Sequence, residues 1–140
     1  MKKILIDSDV CLDSITGHYP YSVHADKILQ LAEEKTIEAY VSAESFSNMF
    51  YILRKLSTSE MAINVLKDLR SLVRIATVDQ AVIDSALNSG WKDFEDSIQH
   101  ICAIETKVDA IVTRNKPDYS ASKIPVYLPV EFLEGIDKFN

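Results

Sequence analysis

The chain has 140 residues, 47% of them hydrophobic, a mean hydropathy of zero and no apolar run near the eighteen residues that a membrane span needs. That length suffices for one domain with a single buried core, and the short apolar segment after Met1-Lys2-Lys3 is too brief for a signal peptide, so a cytoplasmic protein without membrane contact is expected. A formal charge of −6 and a pI near 5.0 argue against gripping nucleic acid through bulk positive charge, but leave open a protein that reaches a phosphate through bound divalent cations.

Ile4-Leu5-Ile6 is an aliphatic run that stops abruptly at Asp7-Ser8-Asp9. It reads as a strand covered on both faces, with two carboxylates just beyond its carboxyl end. One aspartate there would only end the strand or cap the next segment; the pair is read as the anchor of a site. Cys11 to Ser22, with Gly17 and Pro20, reads as a loop around a short helical turn. His24, Ala25, Ile28, Leu31 and Ala32 recur at helical spacing to about Lys35, and Glu38 to Ser42 reads as a second strand. Ser42 can cap a helix whose buried stripe is Phe46, Met49, Phe50, Leu53 and Leu56. Ser57 and Glu60 have the offset of a capping box, which predicts a second helix through Met61, Val65, Leu69 and Leu72 and hence a helical hairpin. Val73 to Ala76 is a third strand, and Asp79 can cap a helix that Gly90 stops. Asp93 opens a helix through Phe94, Ile98, Ile101, Ile104 and Val108, and Asp109 to Thr113 is a fourth strand. After a polar loop from Arg114 to Lys123, Val126 to Leu128 is an edge strand, and Pro129 suits the first turn of a closing helix through Phe132, Leu133 and Ile136.

Strands alternating with helices predict a doubly wound, mostly parallel α/β domain over 1–140. The three glycines form no phosphate loop, which excludes P-loop and dinucleotide-binding chemistry. Cys11 and Cys102 stand far apart with no Cys/His cluster around them, so they read as reduced thiols and zinc is not expected.

Four acidic or carboxamide clusters follow apolar elements: Asp7 with Asp9, Glu44 with Asn48, Asp93 with Glu95 and Asp96, and Asn115 with Asp118. Oxygen ligands without Cys or His suit Mg²⁺ or Mn²⁺, and crowded carboxylates repel until cations fill the site. Such metals orient a water and neutralise charge during attack on a phosphodiester, which makes phosphoryl chemistry the leading expectation. The three-residue offset puts Asp93 and Asp96 on one helix face with Glu95 pointing elsewhere, although Asp93 also suits an N-cap. His100 reads as a solvated surface residue, and His18 and His24 carry no motif. Arg114 and Lys116 are candidates for RNA contact, with the solvated loop as the alternative.

In this order and spacing, the segments Ile4-Leu5-Ile6-Asp7-Ser8-Asp9-Val10, Val41-Ser42-Ala43 leading to Asn48-Met49-Phe50-Tyr51-Ile52-Leu53, Asp93-Phe94-Glu95-Asp96-Ser97-Ile98 and Val112-Thr113-Arg114-Asn115-Lys116-Pro117-Asp118-Tyr119 resemble the PIN-domain family of metal-dependent ribonucleases, especially its small toxin-type, VapC-like members. The resemblance covers nearly the whole chain. It implies a three-layer α/β/α sandwich with a central parallel sheet, an RNA substrate, a small antitoxin partner and a homodimer, with the helical hairpin as candidate interface. It also implies Asp7, Asp96 and Asp118 as catalytic metal ligands, with Asp9, Asn48, Thr113, Asn115, Glu44 and Asp93 in support. Two positions depart from the family pattern. Asp9 stands where Asn is usual, and Asn48 stands where the family has its second acid, a Glu; Glu44, one helical turn earlier, is placed to compensate.

Two other functions are compatible with the residues. One is a PIN-like module, catalytically weakened by Asn48, that acts by binding protein or RNA. The other is a haloacid-dehalogenase-like phosphatase using Asp7 and Asp9, against which stand the shortness of the chain and the lack of a later Asp-Asp pair.

Overall fold

Ile4, Leu5 and Ile6 are all fully buried, which a strand achieves only when both sheet faces are covered. In the computed structural model of the chain, which describes residues 2–136, they are the heart of β1 (Lys2–Ile6). Four more strands complete the sheet: β2 (Ile37–Ser42), β3 (Arg74–Ala76), β4 (Ala110–Val112) and β5 (Val126–Tyr127). The order is β3-β2-β1-β4-β5 and every pairing is parallel.

Side-chain alternation along β1 divides the core in two. Ile4 and Ile6 pack with α1 (Ser8–Thr16), α2 (Tyr21–Glu33), α3 (Ala43–Leu56), α4 (Ser59–Leu72) and α7 (Pro129–Gly135), through Val10, Ile28, Met49, Leu66 and Phe132 among others. Leu5 points the opposite way, toward α5 (Gln80–Leu87) and α6 (Phe94–Thr106), and packs with Val82, Ile98 and Cys102. The result is the expected α/β/α sandwich. Strand order reverses between β1 and β4, so the crevice beyond their carboxyl ends is the topological switch point where ligands bind in open parallel sheets.

Several helix starts follow the residues that predict them. The Ser42 hydroxyl accepts from Ser45 N at 3.1 Å, Asp79 from Val82 N at 3.0 Å and Asp93 from Asp96 N at 3.0 Å. Other boundaries differ. Of Cys11 to Ser22, expected as a loop around a short turn, residues 11–16 belong to the helix α1 and Tyr21 and Ser22 open α2; α1 forms because Val10 and Cys11 are fully buried and the polar side chains of Asp9 and Asp13 are bonded by a distant loop. The cap of α4 is Thr58, accepting from Met61 N at 3.1 Å; Ser57 instead bonds back to Leu53 O and closes α3. The Ser57/Glu60 pairing is therefore out of register by one residue. α5 ends at Leu87, with Asn88 as its C-cap, and Gly90 lies beyond it in the left-handed conformation (φ +71°). Within the loop after β4, Lys116–Tyr119 forms a single 3-10 turn.

Candidate active site

Asp7 directly follows β1 and is the N-cap of α1, and its carboxylate is held from three directions. Oδ1 accepts from Ser8 N at 2.7 Å and from Gln99 Nε2 of α6 at 3.3 Å; Oδ2 accepts from Thr113 Oγ1 at 2.8 Å and Tyr119 OH at 3.1 Å. The hydroxyl that sequence reading places beside the last cluster thus lies against the first one. Burial, reinforced by Asp7 and Asp96, keeps the Tyr119 phenol protonated far beyond its ordinary range, so it acts here as a donor.

Asp9 sits in the first turn of α1 and grips the loop after β4. Its Oδ2 accepts from Arg114 N at 3.1 Å, from Asn115 Nδ2 at 3.0 Å and from Thr113 Oγ1 at 3.4 Å. Its Oδ1 is buried without a hydrogen-bond partner, as is Gln99 Oε1. Burial and the neighbouring Asp7 carboxylate push the Asp9 carboxyl up to about 7, against the bonds from Arg114 and Val10 N–H groups. One turn further, buried Asp13 takes a two-pronged ion pair from Arg114, at 2.8 and 3.0 Å, and a contact from His18 Nδ1 at 3.0 Å. Arg114 also lies over the Tyr21 ring, 4.1 Å from its centroid.

These groups open onto a cleft of about 160 Å³. Asp7, Asp9 and Ser8 form its floor; Glu44, Ser45 and Asn48 come from α3, Glu95, Asp96 and Gln99 from α6, and Asn115 and Asp118 from the loop. Six of these side chains are carboxylates, and none is a lysine or arginine. Asp96 pays electrostatically for its position: burial first, then Asp93, Asp118, Asp7 and Glu95, push its carboxyl up to about 7. Glu44 is moved upward by burial and by Glu95 and Asp93.

Asp7, Asp9, Glu44, Asn48, Asp96, Asn115 and Asp118 therefore share one cleft, with Thr113 behind Asp7. Asp93 stands outside it as the cap of α6. Glu95 corrects the helix-face reading, since it lines the cleft beside Asp96. Gln99, three residues past Asp96 on the same face, was legible from that spacing, whereas Tyr119 and Ser45 had no local signal. His100 is buried, not solvated: 2% of its surface is exposed and its Nε2 accepts from Lys123 N at 3.0 Å. Arg114 and Lys116, the candidates for RNA contact, are committed to Asp13 and to Glu131.

The donor set is oxygen only, and the two orphaned oxygens of Asp9 and Gln99 lack the partner that a cation or a metal-bound water supplies. Among the described residues no three His, Cys, Asp or Glu side chains converge on one point. The set fits Mg²⁺ or Mn²⁺ with water completing the shell, as Mg²⁺ in particular favours, and does not form a closed protein cage.

A parallel α/β/α sandwich with an acid-lined cleft at its switch point defines the class of an α/β domain with a candidate cation site. A PIN domain family model matches residues 3–117, and the chain belongs to that family. It is 26% identical over 141 residues to ribonuclease VapC1 of Aquifex aeolicus (strain VF5), covering 95% of this chain and 94% of that protein. Among solved structures it is similar to VapBC-1 from nontypeable Haemophilus influenzae, with a TM-score of 0.70, 12% identity and coverage of 91% and 98% of the two chains. A toxin-antitoxin complex from Klebsiella pneumoniae gives a TM-score of 0.67, 19% identity and coverage of 90% and 97%. Family membership replaces the phosphatase reading of Asp7 and Asp9. Among the described residues no helix is long and apolar enough to cross a membrane.

Proposed function

We propose that the protein is a Mg²⁺- or Mn²⁺-dependent endoribonuclease, the toxin of a toxin–antitoxin pair. The observation that carries this reading is the cleft of six carboxylates at the switch point, with no cation of the protein's own. Asp7, Asp96 and Asp118 are assigned as metal ligands. When bound, the metal supplies a polarised water and neutralises charge on the phosphodiester. The chain's own residues prepare the site. Thr113, Tyr119, Gln99 and the Ser8 amide fix the Asp7 carboxylate, while Asp9 ties α1 to the loop that carries Asp118 through Arg114 N and Asn115. Asn48 and Glu44 share the α3 wall, so Glu44 stands where it can restore the charge that Asn48 lacks.

The curated relative's name and the complexes among the structural neighbours support an RNA substrate and a small antitoxin partner. A homodimer through the α3–α4 hairpin is supported by Tyr51, Leu56 and Met61, exposed at 55%, 68% and 55%. The test is cleavage of RNA by purified protein with Mg²⁺ or Mn²⁺. Asp7→Asn and Asp96→Asn are each expected to lose at least about 100-fold, in line with removing one electrostatic group from a reacting centre. Cleavage at the wild-type rate by both variants would sink the reading.

A binding module without catalysis is the second reading, favoured by Asn48 and by the lack of a ready three-ligand cluster among the described residues. Calorimetry separates the two: micromolar Mn²⁺ binding that Asp7→Asn abolishes argues for the enzyme.

A further inference from the structure

Beside the acid cleft lies a larger groove of about 890 Å³, and the two share Asp96 and Asp118 in their linings. This groove has what the cleft lacks. Lys92 and Lys123 line it, and neither ammonium has a hydrogen bond or ion pair among the described residues. Trp91 lines it half-buried, its ring stacked on His100 at 4.6 Å between centroids and edge-on to Tyr119 at 6.1 Å. His100 organises this edge: it is buried under Trp91, and its Nε2 accepts the Lys123 N–H at 3.0 Å, which fixes that lysine's backbone at the groove. Tyr119 in turn donates to Asp7, so the aromatic surface is joined to the first acid through one side chain.

We propose that this groove is the bed of the single-stranded RNA, in which a base stacks on Trp91 and the phosphates beside it are held by Lys92 and Lys123, leading the strand into the cleft. This rests on the ribonuclease reading and adds its substrate-binding residues. Three features favour a single strand over a duplex or a protein. An aromatic face is open to an unpaired base and not to a stacked one. Lys92 and Lys123 stand beside Asp93, Asp96 and Asp118 in the groove lining, where the two ammonium groups are the complement to a phosphate backbone. And the groove shares Asp96 and Asp118 with the cleft whose acids would act on the strand. Arg114 and Lys116, by contrast, already have carboxylate partners.

Trp91 is the chain's single tryptophan, so its emission reports the contact directly. A labelled 12-nucleotide single-stranded RNA is titrated in EDTA at low salt, which prevents cleavage, and both Trp91 emission and RNA anisotropy are followed. Quenching of Trp91 is expected, with Trp91→Ala weakening binding about 10-fold and Trp91→Phe retaining most of it. The double variant Lys92→Gln/Lys123→Gln, which removes only exposed charge, is expected to lower the slope of log affinity against log salt by about 1.4, roughly 0.7 per phosphate contact on a single strand. Unchanged emission, unchanged affinity in these variants, or equal binding of the same RNA as a duplex would overturn the proposal. Cleavage with Mn²⁺ by the same proteins tests the ribonuclease reading separately: binding and quenching without Asp7-dependent cleavage would defeat that reading and leave the groove standing.

Discussion

Asp96, proposed above as a metal ligand, is held in the cleft against the stability of the fold. Its carboxyl is pushed up to about 7 by burial and by four neighbouring carboxylates, against 3.8 for an ordinary aspartate. The folded protein therefore holds a proton that the unfolded chain has lost between about pH 4 and pH 7. Stability falls as pH rises through that window and levels off above it, and Asp9, also near 7, acts in the same direction. In metal-free protein, Asp96→Asn is expected to raise the melting temperature at pH 7.5 and to have little effect at pH 4; a lower melting temperature at pH 7.5 would contradict this. Arg114 is the opposite case, a cation whose main task is internal. Arg114→Ala is expected to cost about 2 kcal/mol in urea unfolding, since it strips a buried carboxylate of its strongest partner, though the guanidinium is partly exposed and His18 remains on Asp13. Lys116→Ala breaks only an exposed pair with Glu131 and should cost less than about 1 kcal/mol.

Among the elements, the α3–α4 junction illustrates how caps are legible to within one residue. Ser57 and Thr58 both have a hydroxyl, and only the backbone path decides which accepts from the first turn of α4. Thr58→Ala is expected to destabilise by about 1 kcal/mol in denaturant unfolding, with Ser57→Ala costing about half that or less. The larger misreading, α1, has a tertiary cause. Asp13 and Ser14, with Gly17 and Pro20 beyond them, make Cys11 to Ser22 look like a loop because such residues favour turns over helix interiors. In the fold, Asp9 and Asp13 project one turn apart and are satisfied by Arg114 and Asn115, about a hundred residues downstream, which removes their competition with the helix backbone. Glu95 was misread for a related reason: the start of α6 faces a concave cleft, which admits a wider arc of the helix than one stripe.

At the scale of the whole molecule, apolar side chains remain exposed on the α3–α4 hairpin, the face proposed for the homodimer. Leu56→Glu is expected to shift the protein from dimer to monomer in sedimentation equilibrium without loss of folding; a wild-type protein that is monomeric at high concentration would overturn the dimer. Much of the architecture was determined by the sequence alone. The aliphatic run of β1, the 3.6-residue stripes of Met49 with Leu53 and Ile98 with Val108, and the caps Ser42, Asp79 and Asp93 are local signals that burial followed, whereas Leu56 and Phe94, at the ends of those stripes, are exposed. The order of acids along the chain also pointed to one site, because strands of a parallel sheet present their carboxyl ends to a common edge. Only the tertiary structure decided what those acids meet. That Thr113 and Tyr119 hold Asp7, that Arg114 serves Asp13, and that Lys92 and Lys123 are the lysines beside the cleft depends on side chains about a hundred residues apart or on the two sides of a groove. No spacing within the chain encodes such pairings, because they arise only when separate elements pack against one another.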